Sequence, residues 1–258
     1  MQTVLFHSTI FGPIHSRRLG RSLGVNLSPI DGKVCSFDCL YCEAGFNAQG
    51  PGTTGLPCRA DVKRLLEEKL RDMSANGEPL DVITFSGNGE PTLHPEFEGV
   101  IEDTIGLRDK YFPQVKISVL SNSTMLHSGG VCRALRKVDN NILKLDSAIT
   151  PTMRAIDRPN SAALSSEKVI EQLAQFGSGC VVQTMLLRGE YNGERIDNTT
   201  SEEVEALVAA YKRIRPREVM LYSIDRKTPA EHLQKVEKEE LERVADKIRA
   251  CGIKVEVA

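Results

Sequence analysis

The sequence predicts an α/β fold built on parallel strands, and three observations lead to this prediction. From Arg59 onward, short β-branched apolar runs alternate with charged stretches whose apolar residues recur every three or four positions. The strand candidates are almost wholly apolar, as parallel strands covered by helices are. The 258 residues, 40% of them hydrophobic, are enough for one α/β core. An open doubly wound sheet and a curved, barrel-like sheet both satisfy this pattern.

The strands are predicted from their length and their β-branched, apolar composition, which suits a buried position in a sheet. In chain order, they cover residues 23–27, 80–85, 115–120, 142–145, 181–187, 218–222 and 253–257. Two long loops follow strands, namely 44–58, which is rich in glycine and proline, and 188–200, which is polar. Each loop follows the carboxyl end of a predicted strand, and this is the end where parallel α/β proteins build their sites.

The helices are predicted from apolar periodicity and from signals at their ends. They cover residues 61–75, 95–107, 130–138, 166–176, 201–214 and 238–250. Ser165 or Ser166 is the predicted cap of the fourth helix, and Ser201-Glu202-Glu203 opens the fifth. Gly252 is expected to end the last helix in a left-handed conformation. The charged run 231–243 is interpreted as an exposed helical face.

Composition narrows the function classes. A net charge of −2 gives no sign of a surface that coats nucleic acid. No apolar run approaches the length of roughly 20 residues that a membrane helix needs, and the first residues do not resemble a secretory signal. Seven cysteines, an odd number with three of them clustered, suit a metal site in a reducing compartment better than a disulfide framework. We therefore expect a cytoplasmic protein without a membrane partner.

The candidate metal centre is Cys35-Ser-Phe-Asp-Cys39-Leu-Tyr-Cys42. Iron–sulfur clusters are held by cysteine thiolates, and three thiolates can bind three irons of a cubane. The fourth iron then stays open to a ligand, as the fourth position of catalytic zinc does. The alternative is structural zinc, which usually needs four ligands. A second pair is missing here, because His94 and His127 are distant and isolated.

The spacing Cys-x3-Cys-x2-Cys, with Tyr41 as the aromatic residue before the last cysteine, resembles the radical S-adenosylmethionine superfamily. This resemblance implies a partial (β/α)6 TIM-like barrel of parallel strands. The cysteine loop then follows the first barrel strand, here 23–27. It also implies one domain over residues 1–258, with 1–22 as an N-terminal extension and 23–258 as the barrel.

A second match follows the second predicted strand, in Thr84-Phe-Ser86-Gly87-Asn-Gly89-Glu90-Pro91. The superfamily carries a Gly-Gly-Glu segment here, and its backbone binds the methionine amino group of the cofactor. We expect glycine at these positions because the ligand comes close to the main chain. The alternative is a glycine-rich turn of the kind found between strand and helix in any α/β protein.

Two looser matches lie at later strand ends. Ser121-Asn122-Ser123 resembles the superfamily's Thr-Asn-Gly segment, and Leu145-Asp146-Ser147 resembles a segment near the cofactor ribose. The resemblance thus implies cofactor contacts at Tyr41, Ser86, Gly87, Gly89, Glu90, Asn122, Asp146 and Ser147, and metal ligands at Cys35, Cys39 and Cys42. For Asp146, a helix cap or a buried hydrogen-bond acceptor is an equal alternative.

The resemblance implies two cofactors, a [4Fe–4S] cluster and S-adenosylmethionine. An electron from the cluster cleaves the sulfonium and yields methionine and a 5′-deoxyadenosyl radical, which abstracts hydrogen from substrate. It also implies a reducing partner such as flavodoxin or ferredoxin. The substrate is unidentified, and a protein or an RNA is a candidate.

Within the superfamily, the sequence looks closest to iron–sulfur oxidoreductases similar to the wyosine-base-forming enzyme of tRNA. That enzyme carries a second cluster, but here Cys58, Cys132, Cys180 and Cys251 form no compact set and no cysteine precedes Cys35. A glycyl-radical-enzyme activase is an alternative, since a short barrel is expected to leave its opening to a large partner. A non-catalytic metal-binding module is an alternative of another class.

Several polar residues at strand ends permit two interpretations, substrate recognition or an ordinary solvated loop. They are Arg154, Asp157, Arg158, Arg188, Glu190, Tyr191, Asn192 and Arg195. Lys144 either lies inside the barrel, where its charge would help to balance cluster and carboxylate, or extends to solvent. For His94 we favour a structural hydrogen bond.

Overall fold

The computed structural model describes residues 4–16 and 18–258 and shows an α/β fold. Its strands are β1 (Ile10–Ser16), β2 (Gly20–Val25), β3 (Val82–Phe85), β4 (Lys116–Ser121), β5 (Asn140–Lys144), β6 (Val181–Tyr191), β7 (Glu194–Asp197), β8 (Glu218–Ser223), β9 (His232–Lys235) and β10 (Val255–Val257). Its α-helices are α1 (Arg59–Ala75), α2 (Phe97–Tyr111), α3 (Gly129–Lys137), α4 (Thr150–Asp157), α5 (Ser166–Ala174), α6 (Ser201–Ile214) and α7 (Lys238–Arg249).

The central sheet follows the order β1-β2-β3-β4-β5-β6-β8-β10. From β2 to β10 every neighbouring pair on this path is parallel, and β1 is antiparallel to β2. Parallel strands must be joined by crossovers, and here helices or long loops make them. The prediction of a parallel α/β fold is confirmed.

The two faces of this sheet pack against different partners. Leu143 on β5 and Val182 on β6 belong to the large apolar core shared with the helices. Their neighbours Ile142 and Val181 instead form a separate cluster with Met220 of β8 on the opposite face. Since alternate residues of a strand point to opposite faces, the sheet has helices on one side and an interior of its own on the other. This arrangement is the partial barrel that the family resemblance implies.

The start of the sheet differs from the sequence prediction. β1 lies inside the segment predicted as an N-terminal extension, and it pairs with β2 from Ile10 to Ser16. Its side chains are mostly half-buried or exposed, so it lacks the apolar run by which a buried strand is recognised. β2 begins at Gly20, earlier than the predicted 23–27, because its polar first residues pair with β1. Residues 1–3 and 17 of the predicted extension lie outside the described residues.

The segment predicted as the polar loop 188–200 is instead a β-ribbon, so that prediction is wrong. β6 continues to Tyr191 and pairs antiparallel with both β7 and β9. Leu187, Ile196 and Leu233 pack beneath the ribbon in one apolar cluster. The polar residues alternate with them, which made the segment look like a loop. The helical interpretation of residues 231–237 is also wrong, because β9 lies there.

The helix predictions are largely confirmed, and α6 has the predicted bounds. Ser165 caps α5 by accepting a hydrogen bond from Lys168 N, and Thr200 caps α6 by accepting one from Glu203 N. Gly252 has a φ of 77°, the left-handed conformation expected after α7. The short helix α4 was not predicted.

Among residues 4–16 and 18–258, every helix is too short or too polar to span a lipid bilayer.

Candidate functional site

The cysteine-rich segment runs from the end of β2 across the carboxyl ends of several other strands. Val34 forms a parallel bridge with Gly89 beyond β3. Ser36 hydrogen-bonds Thr124 beyond β4, with 2.6 Å between the hydroxyl oxygens. Farther along, Leu40 N donates to Ile156 O at 2.9 Å, and Leu40 O accepts from Ala230 N at 3.2 Å. The loop is therefore held by the ends of β3 and β4, by α4 and by the segment after β8.

The glycines of the second motif make room for this loop. A Cβ on Gly89 would lie 1.9 Å from Val34 O, and one on Gly87 would lie 2.4 Å from Asn26 Oδ1. Gly87 also has a φ of 146°, which strongly favours glycine. The sequence predicted glycine because a ligand approaches the main chain. The structure shows a more immediate reason for glycine: other segments of the chain, at Val34 and Asn26, lie directly against these two positions.

The three clustered thiols are free and differ in exposure. Cys39 is buried, whereas Cys35 and Cys42 are partly exposed. Burial, followed by the nearby charge of Glu90, raises the pKa of the Cys35 thiol to about 11. Burial also raises the pKa of Cys39 well above its ordinary value. The thiols of Cys35 and Cys39 are therefore protonated without a bound metal, and a metal must displace these two protons to bind.

N–H donors stand next to two of the three sulfurs. Asn122 Nδ2 lies 3.5 Å from Cys35 Sγ, and Lys144 Nζ lies 3.3 Å from Cys39 Sγ. In the described part of the chain, no three His, Cys, Asp or Glu side chains converge on one point that would hold a single metal ion. In a cubane cluster each thiolate binds a different iron, so the three sulfurs do not need to meet at a single metal ion. Three free thiols on one loop, with donors beside two of them, fit a [4Fe–4S] cluster.

Glu90 and Asn122 connect the second and third motifs to the cysteine loop. The Glu90 carboxylate is buried and accepts hydrogen bonds from Thr92 N at 3.1 Å and from Asn122 N at 2.6 Å. Burial raises its pKa, and these hydrogen bonds oppose that rise. The Asn122 amide then donates to Ser36 Oγ at 2.9 Å. Both predicted residues thus lie at the site, where they hold the chain around Cys35.

Tyr41 and Asp146 belong to a buried polar network inside the barrel mouth. Asp146 Oδ1 accepts from Met185 N at 2.9 Å, and Oδ2 accepts from Lys144 Nζ at 2.9 Å and from the Tyr41 hydroxyl. Lys144 Nζ also donates to Asp157 Oδ1 at 2.8 Å. The structure therefore favours the buried-acceptor interpretation of Asp146, and its contact with a ribose stays a prediction.

Charge balance decides the protonation of this network. Burial raises the pKa of Tyr41 well above its ordinary value, and the charge of Asp146 raises it further. Burial alone would lower the pKa of Lys144, but Asp146 and Asp157 outweigh it and hold that pKa well above its ordinary value. Tyr41 is therefore a neutral phenol, and Lys144 is an ammonium that lies between the two carboxyl groups. Lys144 lies in the interior, which was one of its two predicted positions.

Ser86 and Ser147 complete the predicted cofactor set. Ser86 is partly buried, and its N–H donates to Val25 O at 3.2 Å. Ser147 is fully buried, and its hydroxyl bonds Glu203 Oε2 at 2.7 Å. A cofactor contact by the Ser147 side chain thus competes with an internal partner. It stays a prediction.

Sequence reasoning missed two charged residues of the cysteine loop, Lys33 and Asp38, and the pairing of Asp38 with Arg158. Lys33 is buried, donates to Gly45 O at 2.7 Å and lies 3.7 Å from Asp38. Asp38 also pairs with Arg158 at 3.2 Å, and the Arg158 guanidinium lies against the rings of Phe46 and Tyr191 at 5.0 and 5.2 Å. The signal in the sequence that could have revealed them is that charged residues lie within and directly before the cysteine motif.

The polar residues predicted at the rim fall into different environments. Arg188, Glu190 and Arg195 line a surface cavity on the polar side of the β-ribbon. Arg154 lines a second cavity next to Arg158. Asn192 has a φ of 53° at the turn between β6 and β7. Substrate recognition by these residues stays a prediction.

His94 has the structural hydrogen bonds that we favoured. Its Nδ1 accepts from Glu96 N at 3.2 Å, so the proton is on Nε2, which donates to Pro57 O at 2.8 Å. His94 therefore ties the chain after β3 to the end of the cysteine loop.

The remaining cysteines are dispersed over the fold. Cys132 lies in α3 and Cys180 directly before β6, and both are buried. Cys251 follows α7 and is partly exposed, and Cys58 is exposed at the start of α1. In the described part of the chain, these four cysteines thus lie on separate elements.

A family model and curated relatives match this chain. The model described as the radical SAM superfamily matches residues 30–199. A UPF0026 protein of Synechocystis is 32% identical over 227 residues, covering 85% of this chain and 77% of the relative. A UPF0026 protein of Helicobacter pylori is 29% identical, covering 84% of this chain and 66% of the relative. A protein of Brachyspira hyodysenteriae named GTPase Obg is 28% identical over 96% of this chain, which spans only 35% of that relative.

Solved structures share the fold at low sequence identity. A radical SAM methyltransferase from Sphaerobacter thermophilus has a TM-score of 0.65 at 16% identity, covering 92% of this chain and 65% of that one. TYW1 with a bound lysine–pyruvate adduct has a TM-score of 0.57 at 15% identity, covering 89% of this chain and 73% of that one. At these identities the likeness concerns the fold alone.

Proposed function

The chain belongs to the radical SAM superfamily, and on that premise we propose that it holds a single [4Fe–4S] cluster on Cys35, Cys39 and Cys42. Enzymes of this superfamily use such a cluster together with S-adenosylmethionine, and this chain is a radical SAM enzyme. The observation that carries the proposal is the path of the cysteine loop. It brings three free thiols to the carboxyl ends of the parallel strands, with N–H donors beside Cys35 and Cys39.

In this proposal, residues of the cysteine loop and of the ends of β3, β4 and β5 would hold S-adenosylmethionine. Its contacts come from Tyr41, Ser86, Gly87, Gly89, Glu90 and Asn122. Asp146 and Ser147, which also have internal partners, are proposed to contact it from the loop after β5. When bound, cluster and cofactor supply reductive cleavage to a 5′-deoxyadenosyl radical, which takes hydrogen from substrate.

The residues of this chain have defined tasks around that chemistry. Asn122 orients Cys35 through the loop and fixes Glu90 through its own N–H. The apolar cluster of Leu40, Ile156 and Leu187 excludes water from one side of the loop. A reductant of the flavodoxin or ferredoxin class delivers the electron in the cytoplasm.

The substrate is proposed to be held by side chains or by its own surface, not by a second cluster. Among residues 4–16 and 18–258, the cysteines outside the motif are Cys58, Cys132, Cys180 and Cys251, which lie on separate elements. This distribution supports the single-cluster proposal. A protein or an RNA is the substrate class that we favour.

The test is anaerobic purification followed by metal analysis and a cofactor-cleavage assay. We expect about four irons and four sulfides per chain, and 5′-deoxyadenosine after reduction. Cys39→Ala should lose the iron. Cys58→Ala is the matched control and should keep it, because that thiol is exposed outside the motif. A colourless protein with one zinc would support a non-catalytic metal-binding module, and a loaded protein that forms no 5′-deoxyadenosine would support a scaffold without turnover.

A further inference from the structure

Lys144 is the last residue of β5, and its ammonium lies under the cysteine loop. Only 14% of its side chain is exposed. Two carboxylates hold it, with Nζ 2.8 Å from Asp157 Oδ1 and 2.9 Å from Asp146 Oδ2. A buried ammonium is tolerated when it is paired and hydrogen-bonded in this way. The position of the charge is therefore well defined.

This ammonium contacts the middle cysteine of the motif. Nζ lies 3.3 Å from Cys39 Sγ, and it also donates to the Tyr41 hydroxyl. Asp157 Oδ1 lies 3.4 Å from the same sulfur, to which the free thiol donates. A metal-bound thiolate has no proton to donate. The Lys144 ammonium remains a hydrogen-bond donor beside the sulfur in that state.

We propose that Lys144 is a positioning residue that acts through Cys39 and makes the cluster easier to reduce. This inference rests on the proposed function. Reduction adds negative charge to the cluster, and a cation with an N–H bond to a ligand sulfur stabilises the more negative form. Asp146 and Asp157 keep the ammonium in place and offset part of its charge.

A purely structural role predicts something different. Lys144 connects β5 with α4 and with the cysteine loop, so its loss would also loosen the fold around Cys39. Looser packing would reduce iron binding or thermal stability. It would not lower the reduced-to-oxidised ratio of the cluster in the neutral variants while leaving that ratio unchanged in a charged variant. The reduced fraction of a fully loaded cluster therefore separates the two roles.

The experiment is an anaerobic redox titration of the loaded protein, followed by the electron paramagnetic resonance signal of the reduced cluster. At the potential where half of the wild-type cluster is reduced, Lys144→Met should lower the reduced-to-oxidised ratio about tenfold. That change corresponds to about 59 mV for a one-electron couple. Lys144→Arg keeps the charge and should stay within about threefold of wild type. Lys144→Gln serves as the neutral variant if Lys144→Met binds less iron.

The matched control is Lys116→Met at the opposite end of the barrel. Lys116 is exposed at the start of β4, about 16 Å along the strand from its carboxyl end. It should leave the ratio unchanged. An unchanged ratio in a fully loaded neutral Lys144 variant, or an equal shift in Lys116→Met, would overturn the inference and leave the proposed function standing. A wild-type protein without iron would overturn both.

Discussion

Gly89 lies where the cysteine loop crosses the end of β3, and its replacement by alanine tests how tightly that crossing is packed. A Cβ there would lie 1.9 Å from Val34 O and 2.6 Å from Ser28 Oγ. An ordinary carbon–oxygen contact is about 3.3 Å, so the two backbones must separate by about 1.4 Å. The closest clash is with the Val34 carbonyl, a backbone group that cannot turn away as a flexible side chain can.

The cost follows from what such a separation breaks. Val34 N donates to Asn88 O at 3.1 Å, and Glu90 N donates to Val34 O at 3.0 Å. Losing two buried hydrogen bonds costs about 2 kcal/mol, and overpacking adds about 1 kcal/mol or more. We expect Gly89→Ala to lower the free energy of unfolding by about 3 kcal/mol. It should also reduce iron binding, because the loop that carries Cys35 moves.

The assay is urea unfolding of the metal-free chain, followed by circular dichroism, together with iron analysis after anaerobic reconstitution. Gly106→Ala is the matched control. Gly106 lies in α2, and apart from its chain neighbours and the backbone of its own helix no atom lies within 4 Å of an added Cβ, so alanine should stabilise the helix by about 0.5–1 kcal/mol. If Gly89→Ala unfolds within about 0.5 kcal/mol of wild type and binds normal iron, the packing argument is refuted.

Two further predictions concern buried polar groups around β6 and α6. Tyr211→Phe removes the hydroxyl that lies 2.6 Å from Thr184 Oγ1, and it should lower the free energy of unfolding in urea by about 1 kcal/mol. Tyr111→Phe, at a half-buried site, is the control and should lower it by less. Equal losses in the two variants would contradict the prediction. Burial raises the pKa of Glu203, so the folded state binds its proton more tightly and the unfolding free energy should fall as pH rises above the ordinary glutamate pKa. The ordinary glutamate pKa is about 4.3, so the fall is expected between about pH 4 and 7. Glu203→Gln should make the unfolding free energy depend less on pH in this range, measured as urea midpoints. An unchanged pH dependence would show that Glu203 does not cause the fall.

The local elements could be predicted because their signals are local. Helix α6 has the predicted bounds, since its apolar period and its cap lie within the helix and the residue before it. β1 and the ribbon β6–β7–β9 were missed for the opposite reason. Their polar, alternating residues become strands only through pairing with partners elsewhere in the chain, such as Arg188 with Gln234.

The candidate site was also predictable only in part, for the same reason. The spacing of Cys35, Cys39 and Cys42 and the segment from Ser86 to Glu90 were enough to indicate the family, which the match over residues 30–199 confirms. They were not enough to explain the glycines. Gly89 is required by Val34, 55 positions earlier in the numbering, and no local pattern reveals that approach.

The sequence by itself therefore determined the parallel α/β class, most helices, and the three thiols as the candidate cluster ligands, because each depends on spacing along one short segment. Only the tertiary structure decided what surrounds those thiols. Lys144 and Asp157 reach Cys39 across separations of 105 and 118 residues. The strand order and the path of the cysteine loop bring them together, and both depend on packing of the whole chain rather than on any local run of residues.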